Sequence, residues 1–170
     1  MSSNQEKMIF KPRPSNGWIW VTIIGLLPLL TGISLLISSG YRGPLMPTIV
    51  ITIPIGVGFL LLASFFPTMR YEMDDVFLSL TYGPLLRYSI DIRQIKSIRR
   101  RDLGFSLISS FRFPGLALFN VPYPEIGIVK MCATAASNGI LLIETDSTKY
   151  GLTPENEEDF VAELRKRMEK

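Results

Sequence analysis

Two apolar runs decide the reading of this chain: Trp18–Ile37 (WIWVTIIGLLPLLTGISLLI) and Thr48–Phe66 (TIVITIPIGVGFLLLASFF). No charged residue stands between Arg13 and Arg42, and none between Arg42 and Arg70. The hydrocarbon core of a bilayer is about 30 Å thick, and a helix rising about 1.5 Å per residue crosses it in roughly 20 residues. Each run is long enough, so the sequence predicts an integral membrane protein with a transmembrane helical hairpin. Its helices are expected at about 18–37 and 48–66. Trp18, Trp20 and Tyr41 stand where interfacial aromatic anchors belong. A cleaved signal peptide competes for the first run, because Ser38–Gly40 are small. The run is longer than the apolar region of a signal peptide, which favours the span.

Working outward, residues 1–17 are polar, contain Pro12, Pro14 and Gly17, and read as a short disordered lead. Lys7, Lys11 and Arg13 precede the hairpin, Arg70 follows it, and Arg42 alone lies in the turn. The positive-inside rule then places both termini in the cytoplasm and the turn outside the cell membrane. Four of the 18 basic residues and one of the 15 acidic residues precede Arg70, so 70–170 carries 14 of each. The basic surplus is a membrane-edge signature. Nucleic-acid binding would need a basic face on the folded part, so no nucleic-acid partner is expected.

Gly25 and Gly32 share a face of the first helix, and Gly56 and Gly58 lie near Pro54 in the second. These four glycines are the candidate transmembrane packing residues. Pro28 and Pro54 read as tolerated prolines of membrane helices, in preference to an unwound transport site, since no ionisable residue lies inside either span.

From Thr68 the pattern changes to short strands. Met69–Met73, Val76–Tyr82, Leu85–Ile90 and Ile95–Arg101 are separated by turns at Asp74-Asp75 and Gly83-Pro84 and by one helical turn at Asp91–Gln94. Leu103–Pro124 combines Pro114, Pro122 and Pro124 with Phe105, Phe111, Phe113 and Phe119. The prolines predict a long ordered loop there instead of strands. Glu125–Thr134, Ile140–Glu144 and Lys149–Leu152 complete about seven strands, with Ser137-Asn138-Gly139 as a hairpin signal. Thr153 predicts an N-cap, and Pro154 the first position, of a closing helix whose apolar face holds Phe160, Val161, Leu164 and Met168. The fold class is therefore α+β: the hairpin, then an antiparallel barrel or sandwich over 68–170, capped by a C-terminal helix.

The residues also carry a resemblance. Tyr71–Asp75 with Leu78, Tyr82-Gly83-Pro84 and Ile90–Ile98 resemble the first half of the bacterial pleckstrin-homology (PH) domains. Gly127–Thr134, Leu142–Thr145, Tyr150–Pro154 and Glu158–Val161 resemble the second half. The likeness spans about Thr68 to Met168 and rests on turns, core positions and a cap, none of them catalytic. It implies a helix-capped PH barrel and does not imply phosphoinositide binding. The middle loop departs from the glycine-richer pattern of such relatives.

Chemistry-bearing groups are sparse. The chain has one cysteine, Cys132, and no histidine. That removes the usual zinc sites and most acid–base chemistry near neutral pH. Asp74-Asp75 read as turn formers, and no catalytic, cofactor or metal site is expected. Arg99-Arg100-Arg101 is the densest charge cluster. Arg99 and Arg101 would share a strand face, with Arg93, Lys96 and Arg112 as neighbours. Such a face would attract anionic headgroups at about 1 kcal/mol per cation, or serve only as a solvated edge that resists aggregation. Phe111 and Phe113 stand between a partner-docking patch and core packing. The sequence therefore predicts a non-enzymatic membrane protein whose cytoplasmic PH-like domain docks a protein partner or an anionic headgroup. Expected partners are membrane lipids and a protein partner or second copy. The alternative is an accessory subunit of a transporter or secretion complex, with the hairpin as its main interface.

Overall fold

The computed structural model describes residues 7–39, 46–104 and 112–169. The chain divides into two compact units, Asn16–Pro67 and the combination of Met1–Ser15 with Thr68–Lys170.

The first unit is a pair of helices, α1 (Gly17–Ser39) and α2 (Met46–Ser64). At about 1.5 Å per residue they extend roughly 34 and 28 Å. They run antiparallel, since Gly25 meets Gly56 and Phe59 while Gly32 meets Thr52 and Ile53. Both are long and apolar enough to cross a membrane, and only 17% of the most apolar window of each is buried. Leu27, Leu30 and Ile37 are among the exposed side chains. The threonine hydroxyls are turned back onto their own helices: Thr22 donates to Trp18 O, Thr31 to Leu27 O and Thr52 to Thr48 O, at 2.8–2.9 Å.

Among its described residues the second unit holds ten strands in two sheets. Four antiparallel strands, β1 (Met8–Phe10), β2 (Arg70–Met73), β3 (Phe77–Tyr82) and β4 (Leu86–Asp91), pair in chain order. The remaining strands are β5 (Ile95–Arg101), β6 (Arg112–Phe113), β7 (Leu116–Tyr123), β8 (Gly127–Ala133), β9 (Ile140–Thr145) and β10 (Lys149–Leu152). They pair in the order β5-β9-β10-β8-β7-β6. Among the described residues no ladder joins the two sheets, so the expected barrel is an open two-sheet arrangement. Helix α3 (Glu157–Met168) packs on the 3-10 turn Ile92–Gln94 that follows β4.

The elements follow from local chemistry. Leu78, Leu80 and Tyr82 alternate with exposed or half-buried neighbours along β3, the period of a half-buried strand. Asp74 Oδ1 accepts from the Val76 and Phe77 amides and closes the β2–β3 turn. Asp91 does the same for the turn after β4, accepting from the Arg93 amide at 2.9 Å. Between the sheets, the Tyr71 hydroxyl donates to Cys132 O at 2.8 Å and accepts from the Thr153 amide at 3.2 Å. Phe160 of α3 is fully buried and stands edge-on to both Tyr71 and Phe10. Burying a side chain of that size stabilises by roughly 1.5–3 kcal/mol.

Four expectations are corrected. The lead is not disordered over residues 8–10: Met8, Ile9 and Phe10 pair with Met73, Glu72 and Tyr71. Beyond β1, the Arg13 amide donates to Thr153 O and the Glu155 amide to Lys11 O. Those bonds and the Pro12–Pro154 bridge tie residues 153–155 to the lead, so Thr153 is not the helix cap. Asn156 takes that position, while the Thr153 hydroxyl accepts from the buried Thr134 amide. The loop 103–124 contains β6 and the eight-residue β7 despite Pro122. Strand β6 reaches only Leu116 and Ala117, so at Pro122 the far side of β7 faces no strand among the described residues, and no ladder bond is lost there. Finally, Ser137-Asn138-Gly139 does not close a hairpin. Strand β10 lies between β8 and β9, parallel to the first and antiparallel to the second.

Candidate functional site

The basic residues expected from sequence fall on three elements, the 3-10 turn, β5 and β6. Arg93 is exposed on the 3-10 turn, and Arg99 and Arg101 are exposed on β5, an edge of the six-stranded sheet. Lys96, also on β5, pairs with Asp146, with both side chains 65% exposed. Such a pair contributes little in water. Arg100, on the opposite side of the strand from Arg99 and Arg101, approaches Glu157 of α3 at 3.7 Å, where Arg13 also approaches at 3.5 Å.

Arg112 and Phe113 stand on β6, the other edge of the same sheet. Arg112 lies 4.4 Å over the Tyr123 ring and donates to Pro122 O at 3.4 Å, so its guanidinium is half-buried against β7. Phe113 is half-buried in the β6–β7 ladder. Phe111 lies outside the described residues. The expected basic and aromatic residues are thus not gathered into one ladder.

Three of the four helical glycines face the sister helix. A Cβ on Gly56 would come within 2.7 Å of Gly25 O and of the Leu29 side chain. One on Gly32 would come within 2.6 Å of Ile53 and Thr52, and one on Gly25 within 3.0 Å of Phe59. Gly58 has nothing within 4 Å and faces outward.

Cys132 is fully buried, and burial pushes its thiol well above the ordinary range. The thiol is held neutral, the opposite of what a nucleophile needs. Its own partial burial, with Cys132 and Tyr150 nearby, pushes Tyr88 up to about 12. Among the described residues, no three His, Cys, Asp or Glu side chains are grouped to hold a metal ion.

A basic cluster that no run in the sequence signals lies on the outer face of the four-stranded sheet. The register sets Arg70 beside Thr81 and Thr81 beside Arg87, across β2, β3 and β4. Lys7 reaches in from the lead. Its ammonium lies 2.8 Å from Glu72, whose other oxygen accepts from Arg70 Nε at 2.6 Å. Glu72 is 7% exposed. These residues, with Thr68 and Gly83, line a cleft of about 470 Å³. The cluster draws on positions 7, 70 and 87, too far apart in sequence to be read as one group.

Residues 69–168 match the family model described as "Bacterial PH domain". No curated protein and no solved structure matches the chain.

Proposed function

The chain belongs to the bacterial PH-domain family, and from that premise we propose that it is a non-enzymatic, membrane-anchored interaction protein. Helices α1 and α2 cross the cell membrane as a hairpin, with both termini in the cytoplasm. The PH-like unit docks a protein partner or an anionic headgroup at that face. The observation that carries this reading is the β1–β2 ladder. The strand before the hairpin and the strand after it share one sheet, which requires an even number of crossings between them. The outward apolar side chains of both helices and the excess of basic residues at the cytoplasmic ends of the hairpin add support. A domain tethered by two chain segments stays at high local concentration at the surface, so weak contacts suffice.

The test uses the full-length protein in its own membrane. It is expected to resist carbonate extraction. Lys11→Cys and Glu125→Cys are expected to label with an impermeant thiol reagent from the cytoplasmic side, and Arg42→Cys from the other. Recovery in the aqueous fraction, or labelling of positions 11 and 125 from opposite sides, overturns the reading. Cross-linking then addresses docking. A chain lacking 68–170 that still captures the same partner would make the hairpin the interface.

A further inference from the structure

We propose that the cleft between Lys7, Arg70, Thr81 and Arg87 binds the phosphate of an anionic membrane lipid. This rests on the reading that α1 and α2 cross a bilayer.

The register places Arg70, Thr81 and Arg87 in one row, while Tyr71, Leu80 and Leu86 beside them turn to the buried face. Strands stand about 4.8 Å apart, so the two arginines are anchored roughly 10 Å from each other, with Thr81, whose hydroxyl donates to Arg70 O at 3.2 Å, between them. Two guanidiniums converging from that separation fit the oxygens of a single phosphate, which their planar forks bind in pairs. The cleft has three cations and one carboxylate. Glu72 is already held by Lys7 and Arg70, and Arg87 makes no ion pair among the described residues. The site therefore keeps a positive surplus that an anion would neutralise.

Chain connectivity sets where such an anion would come from. Arg70 follows Ser64, the last residue of α2, by six positions. That short link ties it closely in sequence to a helix that this reading places in the bilayer. Because β3 runs antiparallel to β2, the Gly83–Leu85 turn is at the same end of the sheet as Arg70. Leu85 on that turn is 45% exposed. Cations flanked by an exposed leucine match a surface that meets headgroups and the first acyl carbons together. Lipid phosphate is the anion present there at high concentration, whereas a soluble phosphate has no use for Leu85.

Native mass spectrometry of the detergent-solubilised full-length chain tests this, with phosphatidylglycerol titrated against phosphatidylcholine. The expected result is preferential retention of phosphatidylglycerol, reduced about fivefold by Arg87→Ala. Arg165→Ala, the same charge change at an exposed position of α3, should leave retention unchanged. Equal losses in the two variants would mean diffuse attraction and overturn the site. Equal retention of both lipids by the wild type would overturn it, as would displacement of phosphatidylglycerol by millimolar inorganic phosphate. Any of these in a protein that still resists carbonate extraction refutes the cleft alone. Recovery of the wild type in the aqueous fraction refutes the membrane reading and the cleft with it.

Discussion

Tyr71 shows how much one hydroxyl can hold. Burial raises its pKa far above the ordinary tyrosine value, so it stays a neutral donor and acceptor between Cys132 O and the Thr153 amide. Tyr71→Phe leaves two buried backbone groups without that partner, at a cost of about 1–3 kcal/mol. The expected fall in Tm is several degrees, read by calorimetry, with the fold intact. Glu72 makes a different kind of contribution. The hydrogen bond from Lys7, opposed by burial and aided by Arg70, holds its carboxyl below the ordinary glutamate range. A group with a lowered folded pKa stabilises above its unfolded value of about 4.3, and that contribution disappears as pH falls through the folded value. The ladder between β1 and β2 should therefore be insensitive to pH from neutrality to about 5 and loosen in stronger acid. Amide exchange at Met8–Phe10, corrected for the intrinsic rate, checks this, and Glu72→Gln should abolish the acid dependence. Neither role was legible beforehand. The sequence marks Tyr71 as a strand residue, but its two partners are 61 and 82 positions away.

At the scale of elements, the helices and β2 to β5 were legible because their patterns are local. Each helix of the hairpin is a long uncharged run, and β2 and β4 run into an aspartate that bonds nearby backbone, Asp74 and Asp91, while β3 runs into Gly83-Pro84. What was not legible depends on distant pairing. Strand β1 is three residues long, and nothing in Met8-Ile9-Phe10 names a partner beyond the hairpin. Strand β10 enters between β8 and β9, so a turn signal of ordinary hairpin type joins strands that do not touch. Pro122 hid β7, because a proline rules out a strand only where a neighbour needs its missing amide. The glycines of the hairpin separate by the same logic. Gly56→Leu must push α1 and α2 apart, since a Cβ there already meets backbone oxygen, whereas Gly58→Leu enters open space. The first should lower the unfolding free energy of the detergent-solubilised protein by about 1–3 kcal/mol or more, and the second should change it by less than about 0.5. Equal effects of the two substitutions would contradict the packing.

For the whole molecule, the hairpin is best seen as an insertion into the β unit, because that unit owns chain on both sides of it. Replacing residues 16–67 with a short Gly-Ser linker should therefore leave a water-soluble unit that unfolds in one transition, measured by circular dichroism and sedimentation. Starting the chain at Thr68 instead removes β1 and exposes Phe160 where Phe10 stood against it, so that shorter chain should be less stable. The split ownership also bears on biosynthesis. The ribosome makes β1 about 60 residues before Tyr71, its pairing partner. At 5–20 residues per second that is a wait of roughly 3–12 s, during which both spans emerge. The amino-terminal strand has no edge to join until β2 has been made, and on the membrane-spanning reading proposed above that interval is when the hairpin enters the bilayer.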